Sequence, residues 1–453
     1  MALGEQTMQN SRQEPPSAWM RRGACPTLLE PMQTGDGLLA RLRPPGGILS
    51  IQQFTRLAEA AQRHGNGIVE ITARGSLQIR GLRTETVQPL AADLDAAGIS
   101  VPPGPIIELS PLYGIAPDEI GNPAEIEALL RDKLAAAFLS PLLAPKLSIL
   151  IDGGGTYGLA AVTGDIRVTA VSAGIWRVAI SGDEQTALPL LTGSPDAAVQ
   201  AVGDLLHLLM SCGRHKRCRD IERGALLAAF PFMEGVLARA PERKDPEAGT
   251  LALPDGSSVL GLSPRFGQIH ASELISFLGS AGVLGATQVR PGPGRIFFLT
   301  GLDCRSAATL AEMASKYGLS VNRSDPEMSI AACAGAGACA SGRFQTKARA
   351  EKLAAIAVEL LDGSMVVHVS GCAKGCAHPR SALSIVGADG GYNLMLDGVA
   401  SDIADAQIAG GDIDSAIEKL ARLVKDERQA GESAAACLRR IGKYDAIKAL
   451  RQG

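Results

Sequence analysis

Two stretches of the chain repeat one pattern of apolar and polar positions. In residues 46–82, Phe54, Leu57 and Ala61 recur at helical spacing, and alternation over 67–72 and 76–81 predicts two strands joined by a turn that contains Arg74. In residues 266–302, Leu274, Phe277 and Leu278 mark a second helix, again followed by a Gly-marked turn, a strand, an arginine-bearing turn and a strand ending in Gly-Leu. The segments between also echo each other. Asn122-Pro123 opens a helix expected over 125–138, followed by a strand over 146–152, a loop at 153–155 and more strand. Further on, a helix over 344–361 leads to a strand over 365–370, a loop at 371–376 and a strand over 383–386. An amphipathic helical stretch over 413–451 is expected to pack on this last unit.

A repeat this long, occurring twice, implies gene duplication and pseudo-twofold symmetry rather than a solenoid. The expected fold is α+β, with two smaller and two larger α+β units alternating around a central cleft. The boundaries expected are 1–24 for a flexible tail, 25–104, 105–245, 246–318 and 319–453. The chain has 453 residues, 46% hydrophobic and 20% charged, which suits several globular domains. A net charge of -3 gives no reason to expect nucleic acid, and no apolar run reaches the length of a membrane span. The first twenty residues are polar and lack a signal-peptide stretch, so a cytoplasmic protein is expected.

In a reducing compartment, nine cysteines point to metal ligands or redox groups rather than disulfides. Five residues separate Cys333 from Cys339 and three separate Cys372 from Cys376, and all four lie in Gly/Ala-rich loops. Small residues let backbone fold closely around a cube of iron and sulfide and leave N–H groups to bond its sulfurs, so a [4Fe-4S] cluster is the first reading. A zinc site, which favours tighter knuckles, is the second. Cys25, Cys304 and Cys437 are isolated and expected as small core residues. Cys212 and Cys218 bracket a basic turn expected to be solvated at the end of a helix over 197–209. His378 follows the second cysteine pair and could bind iron or a cluster sulfide. His368 is expected to pack in a strand, and His64 to close a helix beside Gly65. His207 and His270 offer only helical positions. No convincing G-x-G-x-x-G follows a strand, so nicotinamide or flavin binding is not expected and electrons would come from a separate donor.

C-x5-C followed by C-x3-C in the second half of a duplicated chain resembles the nitrite/sulfite reductase family, over about residues 25–450. Residues 41–49 (RLRPPGGIL) are similar to the family's R-x-R-x-P-G-G motif, and residues 71–81 (ITARGSLQIRG) to its T-x-R-x-x-x-Q-x-x-G strand pair. The resemblance implies ferredoxin-like character for the two smaller units. In those reductases the last cluster cysteine, here Cys376, also ligates sirohaem iron, and cleft cations bind sirohaem carboxylates and a small oxyanion. Arg74 matches the arginine of the strand pair and Lys146 the first lysine of a Lys-x-Lys strand, and both are expected at the catalytic centre. The chain departs from the reductases in three places. Ser148 stands where the second lysine belongs, the family's Arg-Asn pair is missing from residues 106–122, and the cluster loop reads Cys-Ala-Lys-Gly-Cys-Ala-His-Pro. Fewer cations weaken a site for a small doubly charged anion.

Residues 370–379 (SGCAKGCAHP) and 21–42 instead resemble the branch of that family that serves aerobic cobalamin biosynthesis. That resemblance implies an O2-dependent monooxygenase that converts precorrin-3A to precorrin-3B by C20 hydroxylation and γ-lactone closure. It also implies a [4Fe-4S] cluster with a non-haem iron, whose ligands the sequence does not locate; a monomer and a separate NAD(P)H-dependent electron donor are expected. Precorrin and sirohaem are both modified uroporphyrinoids rimmed with carboxylates, so a sirohaem cradle needs little redesign to take precorrin as substrate. Arg41, Arg43, Arg74, Arg80, Arg290, Arg295 and Lys374 are the expected carboxylate partners, with Arg343 and Arg380 as further candidates. A sirohaem-dependent nitrite or sulfite reductase and a non-catalytic iron–sulfur electron carrier are the competing readings.

Overall fold

The computed structural model describes residues 26–28, 30–231 and 247–451, so the expected tail and Cys25 lie outside it. The helix Ile51–His64 forms where its spacing predicts. Ser50 and Gln53 make reciprocal capping bonds at its start, and Phe54, Leu57, Ala58 and Ala61 are buried along one face. His64 is its last residue, its Nε2 2.8 Å from Asp93, and Gly65 closes the helix. The matching helix Ala271–Val283 buries Leu274, Phe277 and Leu278.

Each helix belongs with a five-stranded antiparallel path of sheet, and the two sheets exchange strands. Gln268–His270, just before the second helix, pairs with Ile68–Ile71 of the first sheet. In return, Leu49–Ser50, just before the first helix, pairs with Gln288–Gly292 of the second. Strands of two or three residues are too short to hold a place alone, and each is fixed by the other half's edge. Both helices and both sheets share one core, in which Phe54 meets Phe297 edge to face at 5.9 Å. The hairpin tips following the matched strands also meet. Gly75 has φ 77°, and a Cβ there would stand 2.6 Å from the Gly292 carbonyl carbon, so only glycine allows this crossing.

The two larger units form a second matched pair. In the first, Ile106–Leu109, Ser148–Asp152 and Gly164–Ser172 run parallel, and Ile175–Gly182 and Leu188–Gly193 continue antiparallel. In the second, Ile330–Ala332, Val367–Ser370 and Ala382–Ala388 are parallel, followed antiparallel by Gly391–Gly398 and Ala406–Ala409. Pro123–Lys133 and Pro195–Cys212 pack on the first sheet's core, Thr346–Ile356 and Ile413–Glu427 on the second's. The α+β, duplicated architecture is therefore visible strand by strand.

Three helices differ from expectation. The helix expected over 125–138 breaks at Leu134 into Pro123–Lys133 and Ala135–Phe138. The one expected over 344–361 ends at Ile356 and gives way to a short 3-10 turn, Val358–Leu360. The stretch 413–451 is three helices, Ile413–Glu427, Ala434–Ile441 and Lys443–Arg451, the last two separated by Gly442 at φ 83°. Among the described residues, no helix is long and apolar enough to cross a membrane.

Candidate functional site

Cys333 follows Ile330–Ala332 directly, and Gly371 and Cys372 follow Val367–Ser370. These strands are parallel neighbours in register, Ala332 opposite Val369, so both cysteine loops leave the same carboxyl edge of the sheet. That edge is where parallel sheets commonly place ligands. The loops are joined by backbone: Arg343 N–H donates to the Gly371 carbonyl at 3.0 Å, and Gly371 N–H donates to Cys333 Sγ at 3.1 Å. Lys374 adds a bond to Ser341 Oγ at 2.8 Å. A Cβ on Gly342 would meet Gly335 at 2.4 Å, so the first loop folds this tightly because its residues are small. Cys333, Cys339 and Cys372 are half-buried and Cys376 is exposed. Among the described residues, no three His, Cys, Asp or Glu side chains stand grouped for a single metal ion. The amide already directed at Cys333 and the glycine-lined approach suit thiolate ligands of an iron–sulfur cluster. An open cleft of ≈ 810 Å³ beside these loops is lined by Ser341, Arg343, Cys372, Lys374, Asp389 and Asn393.

The first half carries the same loop geometry without the thiols. Ser110 follows Ile106–Leu109 as Cys333 follows its strand, and Gly153 follows Ser148–Asp152 as Gly371 follows its own. Gly153 N–H donates to Ser110 Oγ at 3.4 Å, the counterpart of the bond to Cys333. Glu119 fills the space beside this pair: its carboxylate accepts from Gly114 N–H at 2.6 Å and from Ser110 Oγ at 3.3 Å. Burial pushes the Glu119 carboxyl above its ordinary value, against the Gly114 and Ser110 bonds.

The expected substrate cations are mostly engaged by the protein itself. Arg74 donates from Nε and Nη2 to Glu108 at 2.9 and 2.5 Å and from Nη1 to the Thr163 carbonyl at 2.5 Å. Arg43 donates to the Arg74 carbonyl and stands 3.6 Å from Glu108, while burial pulls its guanidinium below its ordinary value. Arg41 meets the Gln78 amide oxygen at 2.7 and 2.9 Å when that amide is oriented to donate to Glu70. Arg290 is taken up by Gln288 and the Tyr113 carbonyl, and Arg295 by the Ala377 carbonyl. Arg80 is 3% exposed and held by Asp36, Glu70 and the Ala338 carbonyl. That leaves no free face for a substrate carboxylate and corrects its expected role. Arg343 pairs with Asp389 and Arg380 with the Ala161 carbonyl. Lys146 is half-buried, without a partner among the described residues.

Arg41 and Arg43 border a cavity of ≈ 570 Å³, Arg290 a separate one of ≈ 520 Å³, and Lys374 the cleft beside the cysteine loops. At the position of the missing second lysine, Ser148 bonds Asp165, which Arg217 grips with two nitrogens at 2.6 and 2.5 Å.

Glu108, Asp165, Arg217 and Lys347 were not singled out from the sequence. The one signal was a charged residue inside an apolar strand, as in Ile106–Leu109, which marks a buried and therefore paired group. Cys304 is exposed at the start of the helix Cys304–Ala314, not in the core, whereas Cys437 is buried. Cys218 is buried too, and burial pushes its thiol up, so the turn after Cys212 is not wholly solvated. His207 bonds the Gly203 carbonyl within its helix, and His270 sits at the start of the helix Ala271–Val283. His368 is fully buried with neither ring nitrogen bonded to protein, and burial brings it down to about 4. The His378 ring lies 6.0 Å away.

Residues 30–97 match the model of the nitrite/sulfite reductase ferredoxin-like half domain. A precorrin-3B synthase from Sinorhizobium sp. is 44% identical over 440 residues, covering 96% of this chain and 96% of its own. A ferredoxin–nitrite reductase from Synechococcus elongatus is 26% identical over 396 residues, 78% of this chain and 77% of its own. The solved structure of Mycobacterium tuberculosis NirA matches 90% of this chain and 84% of its own, with a TM-score of 0.70 at 17% identity. On the repeated sheets, the half-domain match and near full-length identity, the chain belongs to the nitrite/sulfite reductase family, in its precorrin-3B synthase branch.

Proposed function

We propose that the chain is an O2-dependent monooxygenase that converts precorrin-3A to precorrin-3B, hydroxylating C20 and closing the ring A acetate to a γ-lactone. The observation that carries this reading is the 44% identity to a precorrin-3B synthase over 96% of both chains. Cys333, Cys339, Cys372 and Cys376 would hold a [4Fe-4S] cluster, which would supply one-electron transfer from a separate NAD(P)H-dependent donor. The bond from Gly371 N–H to Cys333 Sγ supports that role, since amide donors stabilise thiolate charge. Lys146 and the exposed part of Arg74 would face the reacting macrocycle. Arg41, Arg43, Arg290, Arg295 and Lys374 would serve its carboxylates. Ser148, bonded to Asp165, supports a site that no longer gathers charge on a small anion.

The test begins with protein isolated without oxygen. A cluster absorption spectrum alone, with O2 consumed only after precorrin-3A is added, is the expected result. A strong Soret band with a sirohaem Q band would overturn the reading in favour of a nitrite or sulfite reductase. A cluster with no turnover of any tetrapyrrole would favour an electron carrier.

A further inference from the structure

A buried arginine and a half-buried lysine grip the peptide units that enter the first cysteine pair. Arg80 Nη2 donates to the carbonyl of Ala338, the residue before Cys339, at 2.6 Å. Lys347 Nζ donates to the carbonyl of Ala332, the residue before Cys333, at 3.1 Å, and to the Phe266 carbonyl at 2.6 Å. Thr346 Oγ1 adds a bond to the Cys333 carbonyl at 2.6 Å. Because a peptide unit is planar, fixing its carbonyl fixes the plane from which the next Cα and its sulfur depart.

Arg80 is itself locked. Asp36 accepts from Nε at 3.0 Å and from Nη2 at 2.9 Å, and Glu70 stands 3.5 Å from Nη1. Gly35 N–H reaches the same Ala338 carbonyl at 3.3 Å, and a Cβ on Gly35 would stand 2.9 Å from Cys339 N. The first ferredoxin-like sheet is thus pressed onto the C-x5-C loop of the opposite half.

The pseudo-twofold mate serves as an internal comparison. There Thr300, before Gly301-Leu302, stands where Arg80 stands before Gly81-Leu82, and the arginine on the neighbouring strand, Arg290, reaches the Tyr113 carbonyl at 2.7 Å beside the neutral Gln288. The helix Pro123–Lys133 opens with Pro123-Ala124 where Thr346–Ile356 opens with Thr346-Lys347, so the lysine has no counterpart. The full set of two cations on two carbonyls occurs in the half with the thiols.

We infer that Arg80 and Lys347 are positioning residues for the cluster: they hold Cys339 and Cys333 by the preceding carbonyls and place positive charge behind the thiolates. The inference rests on the cluster reading proposed above. A four-thiolate cluster carries net negative charge, more so after reduction, so nearby cations favour the reduced state and raise its potential.

The full-length wild type, Arg80→Gln, Arg80→Lys, Lys347→Met and Lys347→Arg are purified without oxygen. Iron and acid-labile sulfide, iron release to a chelator and the midpoint potential from an EPR-monitored titration are then measured. Arg80→Gln and Lys347→Met are expected to lose iron about 10- to 100-fold faster, as for other partners of metal ligands, and to titrate at a more negative potential. Arg80→Lys and Lys347→Arg, which keep the charge, should recover the potential more fully than the release rate. Variants with wild-type release and wild-type potential would overturn the positioning role. If Arg80→Gln fails to fold, the lysine variants and Arg80→Lys decide by the same two readouts. A wild type without iron and sulfide would overturn the cluster reading instead, before any substitution is compared.

Discussion

Ser110 and Cys333 occupy equivalent places in the two halves, and each receives an N–H from the glycine that follows the neighbouring strand. The change from oxygen to sulfur separates a loop filled by Glu119 from one suited to iron. Cys333→Ser is therefore expected to fold but to lose nearly all cluster iron and sulfide, whereas Cys304→Ser, altering an exposed thiol, should keep both. Retention of the cluster by Cys333→Ser would refute the ligand assignment. His368 gives a pH-dependent outcome. Burial holds it at about 4, below the 6.5 of an unburied ring, so between these values the unfolded chain binds a proton that the folded one does not. Its contribution is present above pH 6.5 and is lost as pH falls towards 4, on the order of 3 kcal/mol in full. Thermal unfolding at pH 7 and pH 4.5 should show a larger loss for wild type than for His368→Leu. Equal losses would clear the ring of responsibility.

Among the elements, the helix Ile51–His64 shows how far a local pattern reaches. Its apolar spacing is readable in the chain, and every residue predicted for its buried face is buried. What Phe54 packs against is not readable, since Phe297 comes from the other half. Phe54→Ala should cost about 3–5 kcal/mol, measured by denaturant unfolding, because the cavity would open in a core shared by both halves. The exchanged strands Leu49–Ser50 and Gln268–His270 escape sequence reading because they are shorter than any alternation can mark.

For the whole molecule, the exchange means that each half completes the other's sheet. Residues 26–231 and 247–451, expressed separately, should each expose the shared core and remain unfolded or aggregated, and refold only when mixed. Circular dichroism and size-exclusion chromatography of each half alone check this, and an independently folded half would contradict it. The charges behave in the same long-range way. Arg74 finds Glu108 at a separation of 34 residues, and Arg80 finds Ala338 at 258. The arginines expected for substrate could be located by motif, but their engagement could not be foreseen.

By itself the sequence determined the repeat, the two helical faces, the α+β class and the paired spacing of Cys333, Cys339, Cys372 and Cys376. These depend on neighbours within a few turns or one loop, where periodicity and small residues act directly. Only the tertiary structure decided that the halves exchange strands and that Arg74 is tied to Glu108. It also decided that Arg80 is buried and bonded to the Ala338 carbonyl of the cysteine loop rather than open to solvent. A motif shows which charges are present, but burial obliges each to find a partner, and the fold alone brings that partner within reach.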